Sequence, residues 1–280
     1  MKVSVSMWSV VTEVQAGRMS LPGFIDFAAS QGVEGVELLD YFWSNERAEI
    51  PKVKRQMADA GLTLAAYSIG NDFFEPDAAK RAEQVGYVKH GVDVATELGV
   101  GIVRVFSGNS KEGYAFEDGL GWIIDGLRAG AEYAAQRGVT LVLENHGLMA
   151  GRSDQVRDII ERVDSPGLRA NLDTGNFLLV GQNPVDAAQE LAPLVAYVHL
   201  KDFRRAGPED TTHRYEGLDG FVYTGAVVGE GMVDLAKVIS ILSAAGYAGW
   251  LSLEYEGSAD PIAIGVPRSL RAITALLAGG

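Results

Sequence analysis

Four short runs in the second half of the chain each carry an acid or an imidazole among polar neighbours. They are Leu143-Glu144-Asn145-His146, Leu172-Asp173-Thr174-Gly175-Asn176, Val198-His199-Leu200-Lys201-Asp202 and Leu253-Glu254-Tyr255-Glu256. Taking one group from each gives Glu144, Asp173, His199 and Glu254, three carboxylates and one imidazole. That hard, oxygen-rich set suits Mn²⁺ first, with Mg²⁺ or Co²⁺ as alternatives, better than structural zinc. Three carboxylates at close range also need a cation, because like charges cannot all stay ionised side by side. The chain has no cysteine, which excludes thiolate metal sites, iron–sulfur clusters, a cysteine nucleophile and a disulfide framework.

Other residue types fit chemistry around such a centre. His146 stands two residues after Glu144, on the same face if the strand stays regular, and is a candidate base. Lys201 has the same relation to His199. Trp8, Glu37, Arg104, Asn176, Lys201 and Arg205 are the candidate substrate contacts: an aromatic ring stacks on a sugar, and the polar groups bond its hydroxyls. Each has an ordinary alternative as a rim charge, a cap or a packing residue. What points to a shared site is the occurrence of ligand types on four successive strands.

The elements that must position these residues show in the hydrophobic pattern. Strand-like runs cover Val3–Trp8, Gly35–Leu39, Leu62–Ile69, Gly101–Phe106, Thr140–His146, Arg169–Leu172, Val195–Leu200 and Trp250–Tyr255. Helix-like stretches lie between them near Pro22–Gln31, Asn45–Ala60, Asp77–Leu98, Glu117–Gln136, Asp154–Val163, Pro184–Leu191 and Val233–Ala245, and Ala263–Leu277 follows the last strand. Glycines 32, 61, 99, 138 and 246 sit just ahead of strands or strand-leading turns, where a left-handed residue closes a helix. Pro22 and Pro184 mark helix first turns. Strict βα alternation implies a parallel sheet covered by helices, and 280/8 gives 35 residues per unit. The pattern predicts one (β/α)₈ TIM barrel over residues 1–280, with active residues at the C-terminal strand ends. The segment 202–228 should lie at that mouth. No GxGxxG follows the first strand, which argues against an open dinucleotide-binding sheet.

Composition narrows the partners. Lys and Arg number 24 against 37 Asp and Glu, a formal charge of −13, so a broad nucleic-acid surface is not expected. The first residues alternate rather than form a signal peptide, and no run reads as a membrane span. The expectation is a cytoplasmic protein acting on a small molecule. Apolar barrel-surface helices permit a homo-oligomer, dimer or tetramer.

At Leu143-Glu144-Asn145-His146-Gly147, Asn171-Leu172-Asp173-Thr174-Gly175-Asn176-Phe177, His199-Leu200-Lys201-Asp202, Gly229-Glu230-Gly231 and Leu253-Glu254-Tyr255-Glu256, the sequence resembles the xylose isomerase-like TIM barrels. That sugar phosphate isomerase/epimerase superfamily also holds endonuclease IV, inosose dehydratase and the ketose 3-epimerases. The resemblance spans essentially the whole chain and implies that Glu144, Asp173, His199 and Glu254 ligate one divalent metal. It further implies that Glu144 and Glu254 exchange a substrate proton beside a carbonyl. Ketose 3-epimerases carry histidine three residues after the Asp ligand, where this chain has Asn176. The Glu-Asn-His run looks more like members acting on inososes or 3-oxo-glycosides. The expected function is a sugar or cyclitol isomerase or epimerase working through an enediolate. A lyase with the same first step is the runner-up. An endonuclease IV-like DNA enzyme is disfavoured, since its trinuclear zinc site is rich in histidine and this chain has 4 His.

Overall fold

The computed structural model describes residues 1–279. In chain order its strands are β1 (Lys2–Ser6), β2 (Gly35–Leu39), β3 (Thr63–Ser68), β4 (Ile102–Val105), β5 (Thr140–Glu144), β6 (Leu168–Asp173), β7 (Val195–Leu200), β8 (Asp202–Arg205), β9 (Arg214–Glu216), β10 (Val222–Ala226) and β11 (Trp250–Leu253). All but β8, β9 and β10 close a parallel barrel in the order β1-β11-β7-β6-β5-β4-β3-β2. The expected (β/α)₈ barrel is the observed fold. The helices are α1 (Val11–Gln15), α2 (Leu21–Ser30), α3 (Glu46–Asp59), α4 (Ala78–Leu98), α5 (Phe116–Ala135), α6 (Ser153–Val163), α7 (Asn176–Leu179), α8 (Pro184–Leu191), α9 (Leu235–Ala244) and α10 (Val266–Ala278).

Local chemistry sets these boundaries. The α4 start is fixed by Asp77, whose carboxylate accepts the N–H groups of Ala79 and Lys80. Its end is fixed by Gly99 at φ 82°, a conformation other residues adopt only with strain. Between the ends, an apolar face does the packing. In α6 the buried residues Val156, Ile159, Ile160 and Val163 recur at helical spacing, each contributing roughly 1.5–3 kcal/mol by leaving water.

The main core fills the space between strands and helices, while Ala65, Ala66, Val142 and Tyr197 form a separate small cluster. Toward the C-terminal end of the barrel interior lie polar side chains, all without solvent exposure: Glu37, Ser68, Asn171, His199 and Ser252. The segment after β7 forms an antiparallel sheet of order β8-β10-β9. Asp202 anchors the return toward α9, accepting the N–H groups of Gly229, Gly231 and Val233. Glu230 reaches out to Arg268 instead.

Pro261–Ala278 spans 18 residues and is long and apolar enough to cross a membrane by length and composition. In the fold it is the last barrel helix, burying Val266, Leu270 and Ile273 and carrying Arg268 and Arg271.

Candidate metal centre and active site

Strand register brings the ligands to one depth. Pairing of β6 with β7 sets Asp173 opposite His199, and pairing of β5 with β6 sets Glu144 opposite Asn171. Glu254 follows β11 directly, its N–H donating to Leu200 O at 3.1 Å. The result is four buried residues, Glu144, Asp173, His199 and Glu254, whose ligand atoms all lie within 4.8 Å of one another.

The imidazole is aimed from beneath. His199 Nε2 lies 3.0 and 3.1 Å from the two Glu37 oxygens. Glu37 also accepts from Ser68 Oγ at 2.6 Å, Ser252 Oγ at 2.9 Å and Tyr197 OH at 3.1 Å. The network assigns the proton to Nε2 and turns Nδ1 toward Glu144, Glu254 and Asp173 at 3.5, 3.8 and 3.9 Å. A carboxylate behind a histidine is the usual way a protein fixes a metal-binding imidazole. Asp173 is held similarly: Oδ1 accepts the N–H groups of Gly175 and Asn176 at 2.9 Å each, while buried Oδ2 accepts no hydrogen bond. An oriented imidazole nitrogen, a buried carboxylate oxygen whose neighbour is the Lys201 ammonium at 3.1 Å, and two further carboxylates fit a hard divalent cation.

The two glutamates differ in surroundings. Glu144 accepts from Asn176 Nδ2 at 3.2 Å and Asn171 Nδ2 at 3.3 Å, and Arg104 Nε lies 3.2 Å away. Burial pushes its carboxyl up, but His199 and Arg104 hold it well below the usual range. Glu254 meets Lys201 Nζ at 2.6 Å, yet burial wins and pushes it up to about 7. Burial likewise raises Asp173. Lys201 is kept charged against its own burial by Asp173, Glu254 and Glu256, with Nζ 3.1 Å from Asp173 and 3.4 Å from Glu256. His199 stays protonated against burial because Glu37, Glu254 and Glu144 surround it, and a cation on Nδ1 would displace a proton from the cluster.

A cavity of about 320 Å³ opens onto this cluster, walled by Trp8, Leu39, Tyr41 and Phe106 around Glu144, Glu254 and Glu256. Clefts of about 510 and 940 Å³ lie along α10 at the barrel's outside, away from the ligands. Chemistry rather than size selects the smaller cavity.

Residues 25–275 match the family described as the xylose isomerase-like TIM barrel. The chain belongs to that family. An inosose dehydratase of Geobacillus thermodenitrificans is 25% identical over 226 residues, covering 73% of this chain and 72% of the relative. Others match over less, as in Clostridium botulinum, whose inosose dehydratase is 29% identical over 141 residues, 48% of this chain and 46% of its own length. Among solved structures, an IOLI protein with a bound zinc atom has a TM-score of 0.80 at 15% identity, covering 100% of this chain and 97% of that one. The apo 3-keto-D-glucoside 4-epimerase of E. coli has a TM-score of 0.76 at 17% identity, covering 98% and 99%. At such identities the structural likeness shows the fold.

Within this xylose isomerase-like barrel, the sequence-predicted residues separate into three groups. Trp8, Arg104, Lys201 and His146 line the cavity with Glu144 and Glu254. Trp8 does so from a short helical turn, Met7–Val10, rather than from the strand end. His146 lies past the end of β5, because the strand stops at Glu144 and the Asn145 side chain pairs with the Asp173 backbone; its ring packs on Phe106 at 4.5 Å. Glu37 and Asn176 sit behind the ligands. The expectation that Glu37 contacts substrate is corrected, since it has no solvent exposure and its oxygens are engaged with His199, Ser68, Ser252 and Tyr197. Asn176 turns its amide to Glu144 and to Asn145 O. Arg205 is the third case and also a correction: it is exposed and stacks over Phe221 at 3.5 Å, away from the cavity.

Sequence reasoning assigned no role to Asn171, Glu256 or Tyr215. Asn171 stands two before Asp173 and Glu256 two after Glu254, so strand alternation offered a signal for both. Glu256 accepts from Trp8 Nε1 at 2.7 Å and lies close to Tyr215 of β9, which only the tertiary fold brings near.

Proposed function

We propose that the chain is a divalent-metal-dependent enzyme that removes the proton beside a carbonyl of a sugar or cyclitol, giving isomerisation or epimerisation through an enediolate. The observation that supports this reading is a pair of metal-cluster carboxylates, Glu144 and Glu254, on one small cavity with opposite proton affinities. Groups whose surroundings push their proton affinities apart are suited to separate base and acid roles. A bound cation, Mn²⁺ in the first instance, would polarise the substrate carbonyl and acidify the adjacent C–H. Glu144 is held ionised and accepts the proton. Glu254, which burial leaves the more basic of the two, delivers a proton to the other face. Lys201 keeps positive charge beside Glu254, where oxyanion charge builds up. Trp8 offers a stacking face to the ring. The expected setting is the cytoplasm.

A second reading, elimination, is favoured by His146. Its imidazole lies in the cavity outside the ligand cluster, where it can protonate a leaving group, and the relative from Geobacillus thermodenitrificans is called a dehydratase. NMR in D₂O with Mn²⁺-loaded protein and a panel of ketoses, inososes and 3-oxo-glucosides separates the two. Deuterium in recovered sugar supports the isomerase, and loss of water or aglycone supports the lyase. In the lyase case His146→Ala should retain exchange while elimination falls by about 10²–10⁴-fold. Absence of both exchange and products across the panel counts against the whole reading.

A further inference from the structure

The cavity's charges are committed before any substrate arrives. Its walls carry four carboxylates, Asp40, Glu144, Glu254 and Glu256, and two permanent cations, Arg104 and Lys201. Neither cation is free. Lys201 Nζ lies among Glu254, Asp173 and Glu256 at 2.6, 3.1 and 3.4 Å. Arg104 lies against Glu144, donates to Ile69 O at 3.0 Å and covers the Phe106 ring at 4.0 Å. The nearest amides at a helix start, those of Gly175 and Asn176, are filled by Asp173 Oδ1. With Asp173 behind the wall, five carboxyl groups share two cations, so neither Arg104 nor Lys201 has charge left over for an anion.

Of the basic side chains on the segments after β4 and β7, Lys111 pairs with Asp72 and Arg204 with Asp210. The remaining wall is Gly70, the His146 imidazole packed on Phe106, and the apolar or aromatic side chains Trp8, Leu39, Tyr41 and Phe106. A phosphate or carboxylate group needs charged or amide donors in fixed positions, and here it would meet carboxylates and aromatic faces. A volume near 320 Å³ stands at the small end of ligand pockets, roughly 300–1,000 Å³, which suits a single ring.

We infer that the substrate is an uncharged monosaccharide or cyclitol ring, and that the same ring bearing a phosphate is rejected electrostatically. This inference rests on the sugar-directed reading of the site above. It assigns the charge state that the family resemblance leaves open.

Calorimetric titration of the Mn²⁺-loaded protein with matched pairs tests it: fructose against fructose 6-phosphate, glucose against glucose 6-phosphate, and an inosose against its phosphate. The expected result is binding of at least one neutral member, with its phosphorylated partner about tenfold weaker or worse at low salt. Raising ionic strength should narrow the gap, a response that simple steric exclusion would not give. In Glu256→Gln, which removes one wall charge and loosens the hold on Lys201, the gap should narrow as well. Equal or tighter binding of a phosphorylated member, or a gap indifferent both to salt and to this substitution, overturns the inference while leaving a sugar site standing. Failure of every neutral and phosphorylated ligand to bind removes the sugar reading itself, and the inference with it.

Discussion

The two sides of the barrel mouth hold the same residue type at the same depth and treat it in opposite ways. On the β4–β6 side, Glu144 is clamped by Arg104, Asn171 and Asn176 and stays ionised. On the β7–β11 side, Glu254 has Lys201, which it shares with Asp173 and Glu256, and His199 at 3.8 Å, and burial still raises its carboxyl to about 7. Donor count, rather than depth or residue type, decides which carboxylate keeps its charge. One side is built as a fixed anionic ligand and the other as a group able to carry a proton.

The largest effects should come from neutralising each glutamate. Glu254→Gln is expected to lower kcat by about 10²–10⁴-fold with thermal stability little changed, because Lys201 retains Asp173 and Glu256. Glu144→Gln should lose activity and also stability, since Arg104 is 4% exposed and loses its carboxylate partner, a situation that costs about 3–5 kcal/mol. Parallel kinetics and thermal melts check both variants, and equal stability loss in the two would break the comparison.

Next in size is the support beneath the cluster. Glu37→Gln removes the charge that orients His199, and metal affinity should fall by about 10–100-fold in a metal titration. An unchanged affinity would mean that Glu37 serves packing alone.

Proton linkage sharpens the comparison further. Glu254 has its carboxyl raised from 4.5 to about 7 in the folded chain, so between those values the folded state holds a proton the unfolded state lacks. Stability of the metal-free protein should therefore fall as pH rises through that window, and the raised His199 acts in the same direction. A cation takes over from those protons. Melting-temperature gain on adding Mn²⁺ should be larger at pH 8 than at pH 5.5, and a pH-independent gain would contradict the placement of the proton.

The smallest effect belongs to Arg205→Ala. It should change stability by less than about 0.5 kcal/mol and leave KM unaltered, as its guanidinium covers Phe221 outside the cavity.

Much of this was readable from the chain because it is local. Alternating apolar runs gave the strands, and glycines 32, 61, 99, 138 and 246 all take positive φ where helices close. The four ligand types at successive strand ends followed from the barrel rule about C-terminal ends. What escaped is set across strands. Glu37 serves His199 from the far side of the barrel, a partnership 162 residues apart in sequence. Arg205 was misplaced because β8 turns into a separate antiparallel sheet, and His146 lies past the strand because the Asn145 side chain takes over the pairing of β6 where β5 ends.

The central claim is one divalent cation held by Glu144, Asp173, His199 and Glu254. Titrating metal-stripped protein with Mn²⁺ under electron paramagnetic resonance tests it most directly, with His199→Ala alongside. The account predicts one tightly bound ion per chain, and loss of that binding in the variant while its circular dichroism stays native. No tight site in the unsubstituted chain, or full binding in His199→Ala, would contradict it.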